Sequence, residues 1–257
     1  MSSLFSTIKS QGIMPKKSLG QNFLIDSNIV RNMIKAADIK QNDVIVEIGP
    51  GMGALTEELA LVSKKVIAIE KDEKLASNLK KLKNVKIITG DALEEIKKIK
   101  GDYKVVANVP YYLTSFLIRT MLELDNNPKE IVLLIQKEVA KRICSKQNNL
   151  LSISVNYYAK PKIVGYVSKN CFYPKPKVDG AIIKITPINR KKNDNFFKLV
   201  KLGYSHPRKI LVSNLKGGRE IIEKFLKENG FSLKARAEEL NVDDWINLSL
   251  FVQREKS

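Results

Sequence analysis

Five short runs rich in β-branched residues recur between Asp43 and Gln136: "DVIVEIG" (43–49), "KVIAIE" (65–70), "VKIITGD" (85–91), "YKVVAN" (103–108) and "EIVLLIQ" (130–136). Between them lie stretches with apolar residues at helical spacing, at 54–63, 73–82 and 115–124. Strands that alternate with helices of about ten residues form a parallel sheet with helices on both faces. The sequence therefore predicts an α/β chain built on a doubly wound parallel sheet. In such sheets ligands bind outside the carboxyl ends of the strands, so the residues that end each run carry the functional reading.

After Tyr158 the rhythm changes. "KIVGYVS" (162–168) and "VDGAIIKITP" (178–187) flank a proline-rich turn, "CFYPKPK" (171–177), and beyond the charged break "NRKKND" (189–194) the chain reads as helix. This predicts a main domain over residues 1–190 and a small all-helical domain over 191–257.

The first strand runs into "VEIGPGMGALT", which sets Gly49, Gly51 and Gly53 between strand and helix. Glycines there let the backbone turn sharply and approach a ligand, and the helix N-terminus favours an anionic group. With Ala54 the loop also satisfies GxGxxA, so a nicotinamide or flavin dinucleotide is one reading. Glu70 closes the second strand, where a carboxylate can accept both hydroxyls of a ribose. Asp91 ends the third, with Ala92 beside it, placed either to accept from an adenine amine or to cap the helix that follows. Three glycines and two acids on three consecutive strand ends form a pattern that fits an S-adenosylmethionine-binding sheet of the Rossmann-like class I methyltransferases.

The fourth strand ends in "NVPYY", Asn108 to Tyr112. Methyl transfer to an exocyclic adenine amine needs hydrogen-bond acceptors for that amine, because its lone pair is delocalised into the ring. Asn108 supplies a side-chain carbonyl, and Val109 or Pro110 a main-chain one. Pro110 fixes φ and stiffens the loop, and Tyr111 offers a flat face for a base. The other reading of this segment is a β-turn with buried tyrosines.

The charge balance agrees with a nucleic-acid substrate. Forty-five lysines and arginines stand against 27 acids, a net charge of +18, which favours a polyanionic partner. Two cysteines, Cys144 and Cys171, and a single histidine, His206, build no zinc set and no disulfide framework. The start, "MSSLFSTIKSQG", lacks the layout of a secretory signal, and no apolar run reaches membrane-spanning length. A cytoplasmic protein, off the membrane and monomeric, is the expectation.

Several motifs occur in order: "KKSLGQNFLID" (16–26), "VEIGPGMGALTEELA" (46–60), "NVPYYLTS" (108–115), "LLIQKEVAKRI" (133–143), "FYPKPKVDGAII" (172–183) and "RAEELNVDDWINL" (236–248). Together they resemble the small-subunit ribosomal RNA adenine N6-dimethyltransferases, the kasugamycin-sensitivity methyltransferases, from Lys16 to about Leu248. The resemblance implies dimethylation of two adjacent adenosines in the 3′-terminal hairpin of small-subunit rRNA with S-adenosylmethionine, and a part in assembly of the immature 30S subunit. Cofactor contacts would fall to Asn22, Leu24, Gly49, Glu70, Asp91 and Asn108, with Gly51 and Ala92 alongside. Asn108 to Tyr111 would hold the target amine, and Phe172 would stack on an adenine extruded from its hairpin.

This sequence departs from the family pattern at Tyr112, where Asn is common, at Gly180, where Ser is frequent, and in "GYSHPRKIL" (203–211), which includes His206 and Arg208. Two other functions suit the fold: a large-subunit rRNA adenine methyltransferase of the antibiotic-resistance type, and a non-catalytic RNA-binding assembly or transcription factor.

Overall fold

The five β-branched runs become the parallel strands of one sheet in the computed structural model of the protein, which describes residues 15–16, 20–79, 82–145, 148–188, 190–215 and 218–255. The chain divides into two units: the chain up to Lys141 with Ala159–Ile188, and Arg142–Tyr158 with the chain beyond Ile188.

The first unit opens with β1 (Phe23–Leu24) and α1 (Ser27–Ala36), then β2 (Val44–Ile48), α2 (Ala54–Val62), β3 (Lys65–Glu70) and α3 (Glu73–Asn78). Next come β4 (Val85–Thr89), α4 (Ala92–Glu95), β5 (Lys104–Asn108), α5 (Thr114–Glu123), β6 (Glu130–Gln136) and α6 (Lys137–Ile143). After α7 (Leu150–Tyr158) the chain returns with β7 (Ala159–Val167), β8 (Phe172–Tyr173) and β9 (Gly180–Pro187).

Among the described residues the main sheet has seven strands in the order β4-β3-β2-β5-β6-β9-β7. Strands β2 to β6 pair in parallel, and β9 joins β6 and β7 antiparallel. The chain winds outward from β2 through β3 to β4, then returns to β5 on the other side of β2. That reversal opens a crevice at the carboxyl ends of β2 and β5, the place where doubly wound sheets bind ligands.

Helix α1 starts because the Asp26 carboxylate accepts from Asn28 N, and it buries Val30 and Met33. These pack with Leu55 and Leu59 of α2 on the sheet residues Ile45, Val66, Val106 and Val132. Each aliphatic side chain removed from water contributes about 1.5–3 kcal/mol, which anchors the strand ends that carry the site.

Two expectations shift in detail. The helix expected over 73–82 ends at Asn78, because Leu79 turns extended and buries its side chain against Gly53; Lys80 and Lys81 lie outside the described residues. The proline-rich turn also contains a strand: β8 pairs antiparallel with β1, Leu24 opposite Phe172 and Phe23 opposite Tyr173.

The second unit joins α7 to α8 (Asp194–Gly203), α9 (Leu211–Asn214), α10 (Arg219–Glu228) and α11 (Val242–Arg254). It thus takes in residues 142–158 as well as the chain beyond 188. Asn193 and Asn241 cap α8 and α11, and Tyr157 of α7 packs on Phe196 of α8 with ring centroids 4.3 Å apart. Trp245 is fully buried beside Gly203, where a Cβ would collide with its Cη2. His206 and Arg208 are exposed in the turn after α8, and Ser205 Oγ meets His206 Nδ1 at 3.2 Å. Among the described residues no helix is long and apolar enough to cross a membrane.

Candidate active site

A cavity of about 270 Å³ opens over the carboxyl ends of the parallel strands. Its walls include the glycine loop, Glu70, Asp91, Ala92, the Asn108–Tyr112 segment, and Asn22, Leu24 and Phe172. The sequence-derived candidates therefore converge on one cavity within the first unit.

The glycine loop is shaped by its backbone. Gly49 and Gly51 sit at φ +67° and +58°, in the left-handed region that side chains disfavour. A Cβ on Gly51 would stand 3.1 Å from Phe23 Cδ1, and one on Gly49 would stand 3.9 Å from Asn108 O and Pro110 Cδ. The first turn of α2 has no side-chain cap, since Gly53 precedes it, so its N–H groups remain available at the cavity wall formed by Ala54 and Leu55.

Glu70 is almost fully buried. Its Oε2 accepts from Gly51 N at 3.1 Å and its Oε1 from Asp72 N at 2.9 Å, so it ties the glycine loop to the end of β3. Burial raises its pKa, against the lowering effect of the backbone donors at Asp72, Gly51 and Lys71.

Glu47, one residue before the end of β2, is the acid that sequence reasoning passed over. It is 1% exposed, lines the cavity, and its Oε2 has no hydrogen-bond partner among the described residues. Burial pushes its pKa up to about 8, and the negative charge of Glu70 adds to this. The Thr56 hydroxyl stands beside it without a hydrogen bond of ordinary geometry and works in the opposite direction. The signal was present in "VIVEIG": a carboxylate inside an otherwise apolar strand.

Asp91 both caps a helix and lines the cavity. Its Oδ1 accepts from Leu93 N at 2.9 Å, while Oδ2 pairs with Lys71 Nζ at 2.9 Å. Lys71 holds its pKa below the usual carboxylate range, helped by the Leu93 backbone bond.

Asn108 Nδ2 donates to Asn22 O at 3.1 Å, and Asn22 Nδ2 donates to Gly20 O at 3.1 Å. The amide of Asn108 is thereby oriented, with Oδ1 taking no hydrogen bond among the described residues. Pro110, at φ −55°, starts a 3-10 turn in which its own carbonyl accepts from Leu113 N at 3.0 Å. Tyr111 lines the cavity with its hydroxyl buried and unpartnered, and burial, more than the nearby Asp179 charge, raises its pKa. Phe172 forms part of the wall but is only 4% exposed, packed with Leu24, Leu134 and Ile182.

The N-terminal segment is clasped to the same site. Lys16 Nζ pairs with Asp72 Oδ2 at 2.8 Å, Gln21 Nε2 reaches the same oxygen at 3.4 Å, and Ile25 N donates to Cys171 O at 2.9 Å. Lys17, Ser18 and Leu19 of the same motif lie outside the described residues.

The residues present fit S-adenosylmethionine. The Glu47 Oε2, buried without a hydrogen-bond partner among the described residues, suits a polar ligand group, an uncapped helix N-terminus suits a carboxylate, and Glu70 suits ribose hydroxyls. Strand order and crevice are those of the Rossmann-like class I methyltransferases, which use this cofactor. The chain belongs to the ribosomal RNA adenine dimethylase family, whose sequence pattern matches residues 14–254.

Two relatives show how far the likeness extends. The chain is 40% identical to the ribosomal RNA small subunit methyltransferase A of Dehalococcoides mccartyi (strain CBDB1), over 91% of this chain and 87% of that one. It is also 40% identical to the protein of that name from Bacillus pumilus (strain SAFR-032), over 96% and 94%. A dimethyladenosine transferase structure from Plasmodium falciparum superposes with a TM-score of 0.77 at 26% identity, covering 90% of this chain and 97% of that one. The 23S rRNA methyltransferase ErmE shares the fold, with a TM-score of 0.73 at 22% identity over 90% and 100%.

Proposed function

We propose that the chain dimethylates the N6 amines of two adjacent adenosines in the 3′-terminal hairpin of small-subunit (16S) rRNA, working in the cytoplasm as a monomer on immature 30S subunits. The observation that carries the reading is the fixed polarity of Asn108. Its N–H is committed to Asn22 O, which leaves a carbonyl oxygen for a donor in the cavity.

S-adenosylmethionine, when bound, supplies a methyl group on a sulfonium that an incoming nitrogen can displace. The chain's task is to make a poor nucleophile usable. Asn108 Oδ1 would accept one N–H of the adenine amine and draw the nitrogen toward a pyramidal form. Of the two main-chain carbonyls beside it, that of Pro110 already accepts from Leu113 N. The Val109 carbonyl takes no hydrogen bond among the described residues and would accept the second N–H. Pro110 and the 3-10 turn keep these acceptors in place, which serves an in-line displacement. Tyr111 would offer its ring to the base and its buried hydroxyl to a polar edge. Phe172, held by the core, would back the pocket. The proton released from the alkylated nitrogen leaves to solvent, so no strong base is required.

Glu70 would hold the ribose and Asp91 the adenine amine, with Asn22, Leu24, Gly49, Gly51 and Ala92 forming the rest of the cofactor wall. The first unit would be the catalytic domain, and the helical unit, residues 142–158 with the chain beyond 188, would contact the ribosome. The net charge of +18 supports an RNA partner whose binding weakens steeply with salt. The relatives at 40% identity carry small-subunit names, which favours that substrate over large-subunit RNA.

Incubation with labelled S-adenosylmethionine and either 30S or 50S subunits from cells lacking the modification tests this. Label should enter small-subunit RNA. Label in 50S subunits alone would assign the large-subunit function, and none in either would leave an RNA-binding factor.

A further inference from the structure

Two large aromatic side chains stand in water, Tyr112 on the cavity wall and Phe116 four residues further along the chain. Tyr112 is 58% exposed and Phe116 69% exposed, although neither serves the core. The backbone runs without a break from the 3-10 turn Tyr111–Leu113 into α5, with Leu113 and Thr114 both in right-handed helical conformation. Tyr112 thus precedes Phe116 by about one turn on the same continuous stretch of chain. Ser115 and Arg119 are exposed on the same stretch, while Leu117, Ile118 and Met121 turn into the core.

Three further observations say what would cover this ridge. Tyr112 itself lines the cavity, so the ridge is continuous with the pocket proposed to take the target adenosine. The ring edge of Tyr112, Cδ1 to Cε1, lies 3.5–3.7 Å from where a Cβ on Gly20 would stand, so the ring leans on the clasped N-terminal segment. Cations flank the row. Lys71, paired with Asp91, lines the same cavity as Tyr112, and Arg119, paired with Glu123, lies one turn beyond Phe116. Open aromatic rings interleaved with cations are what single-stranded nucleic acid binds, bases stacking on rings and phosphates meeting charge. A base pulled from a hairpin into a pocket brings its unpaired neighbours to the rim of that pocket.

We infer that the Tyr112–Phe116 ridge is a stacking platform for the RNA nucleotides that flank the adenosine held in the pocket. This rests on the function proposed above and adds a residue, Phe116, that lies outside the cofactor cavity. It also gives Tyr112 a role in place of the asparagine common in the family.

The test uses the full chain and the 3′-terminal small-subunit hairpin as RNA, with 2-aminopurine at the nucleotide flanking the target pair. Wild type should quench the 2-aminopurine on binding. Phe116→Ala should abolish part of the quench and weaken RNA binding by about tenfold, the scale of one lost base–aromatic stack. The slope of log affinity against log salt and the affinity for S-adenosylmethionine should both hold. Phe116→Tyr should restore binding and Phe116→Leu should not. Tyr112→Ala should show the same RNA defect, restored by Tyr112→Phe.

Unchanged RNA affinity in Phe116→Ala, or full rescue by Phe116→Leu, would overturn the platform. So would dimerisation of wild type that Phe116→Ala abolishes, since the ridge would then be a self-association surface. If wild type neither binds nor methylates the hairpin, the proposed function fails. If wild type does both and Phe116→Ala matches it, the platform alone fails.

Discussion

Replacing Glu47 by Gln should shift the stability of the first unit, relative to wild type, upward as the pH rises. Glu47 lies in the central strand β2, 1% exposed, with Oε2 unpartnered and a like charge at Glu70. Its pKa rises from the ordinary 4.5 to about 8 in the fold, chiefly through burial. Between these values the folded chain holds a proton that the unfolded chain has released. Stability therefore falls as pH rises through this window, at up to about 1.4 kcal/mol per pH unit. The loss is absent below the unfolded value and complete above the folded one. From pH 5 to pH 7.5 it amounts to about 3 kcal/mol. Glutamine has nearly the same shape and no charge to bury, so Glu47→Gln escapes the loss. Its own unsatisfied amide costs about 1–3 kcal/mol independently of pH. The diagnostic is therefore the slope of the difference, not its sign at one pH.

The assay must report on the correct unit. Trp245, the single tryptophan, is buried in the helical unit, so its fluorescence follows the wrong transition. Hydrogen exchange of the β2 and β5 amides, corrected for intrinsic rate at each pH, reads the first unit directly. The gap between Glu47→Gln and wild type should widen by about 3 kcal/mol between pH 5 and 7.5. A constant gap would mean that Glu47 is ionised in the fold, and the reasoning from burial would be refuted.

Other expectations concern the site and its frame. Asn108→Ala should lower kcat by about 100-fold or more, the scale of losing one oriented transition-state contact, with RNA affinity near wild type; single-turnover rates and RNA titration separate the two. Gly51→Ala adds a Cβ at φ +58° and 3.1 Å from Phe23, so it should weaken S-adenosylmethionine binding measured by calorimetry while the helical unit melts normally. Gly203→Ala forces a methyl into Trp245 and should destabilise the helical unit by about 1–3 kcal/mol, seen as earlier loss of tryptophan fluorescence in urea.

Much of the fold and site was legible because the informative residues end strands. The β-branched runs located β2 to β6 within a residue or two, and a doubly wound sheet then gathers the residues at the carboxyl end of each strand: the glycine loop, Glu70, Asp91 and Asn108. Long-range pairing was not legible. Nothing local announces that Phe23–Leu24 pairs with Phe172–Tyr173, since two-residue strands have no periodicity to read. For the same reason the packing of Phe172 in the core, through partners far away in sequence, was not legible locally. Asp91 caps α4, as one of its two readings had it, and also faces the cavity. Tyr112 and Phe116 were invisible as a pair because an exposed aromatic and a buried one look alike until the helix phase is known. Helix α7 likewise joins the second unit through long-range contacts such as those of Tyr157 with Phe196 and Phe197.

The central claim is that Asn108 presents an acceptor to the amine of an rRNA adenine. Mass-spectrometric mapping of 3′-terminal small-subunit RNA, after incubation of unmodified 30S subunits with the protein and S-adenosylmethionine, tests it most directly. The account predicts two methyl groups on each of two adjacent adenosines, formed about 100-fold or more slowly with Asn108→Ala. Methylation elsewhere, or a full set of methyl groups formed at the wild-type rate with Asn108→Ala, would contradict it.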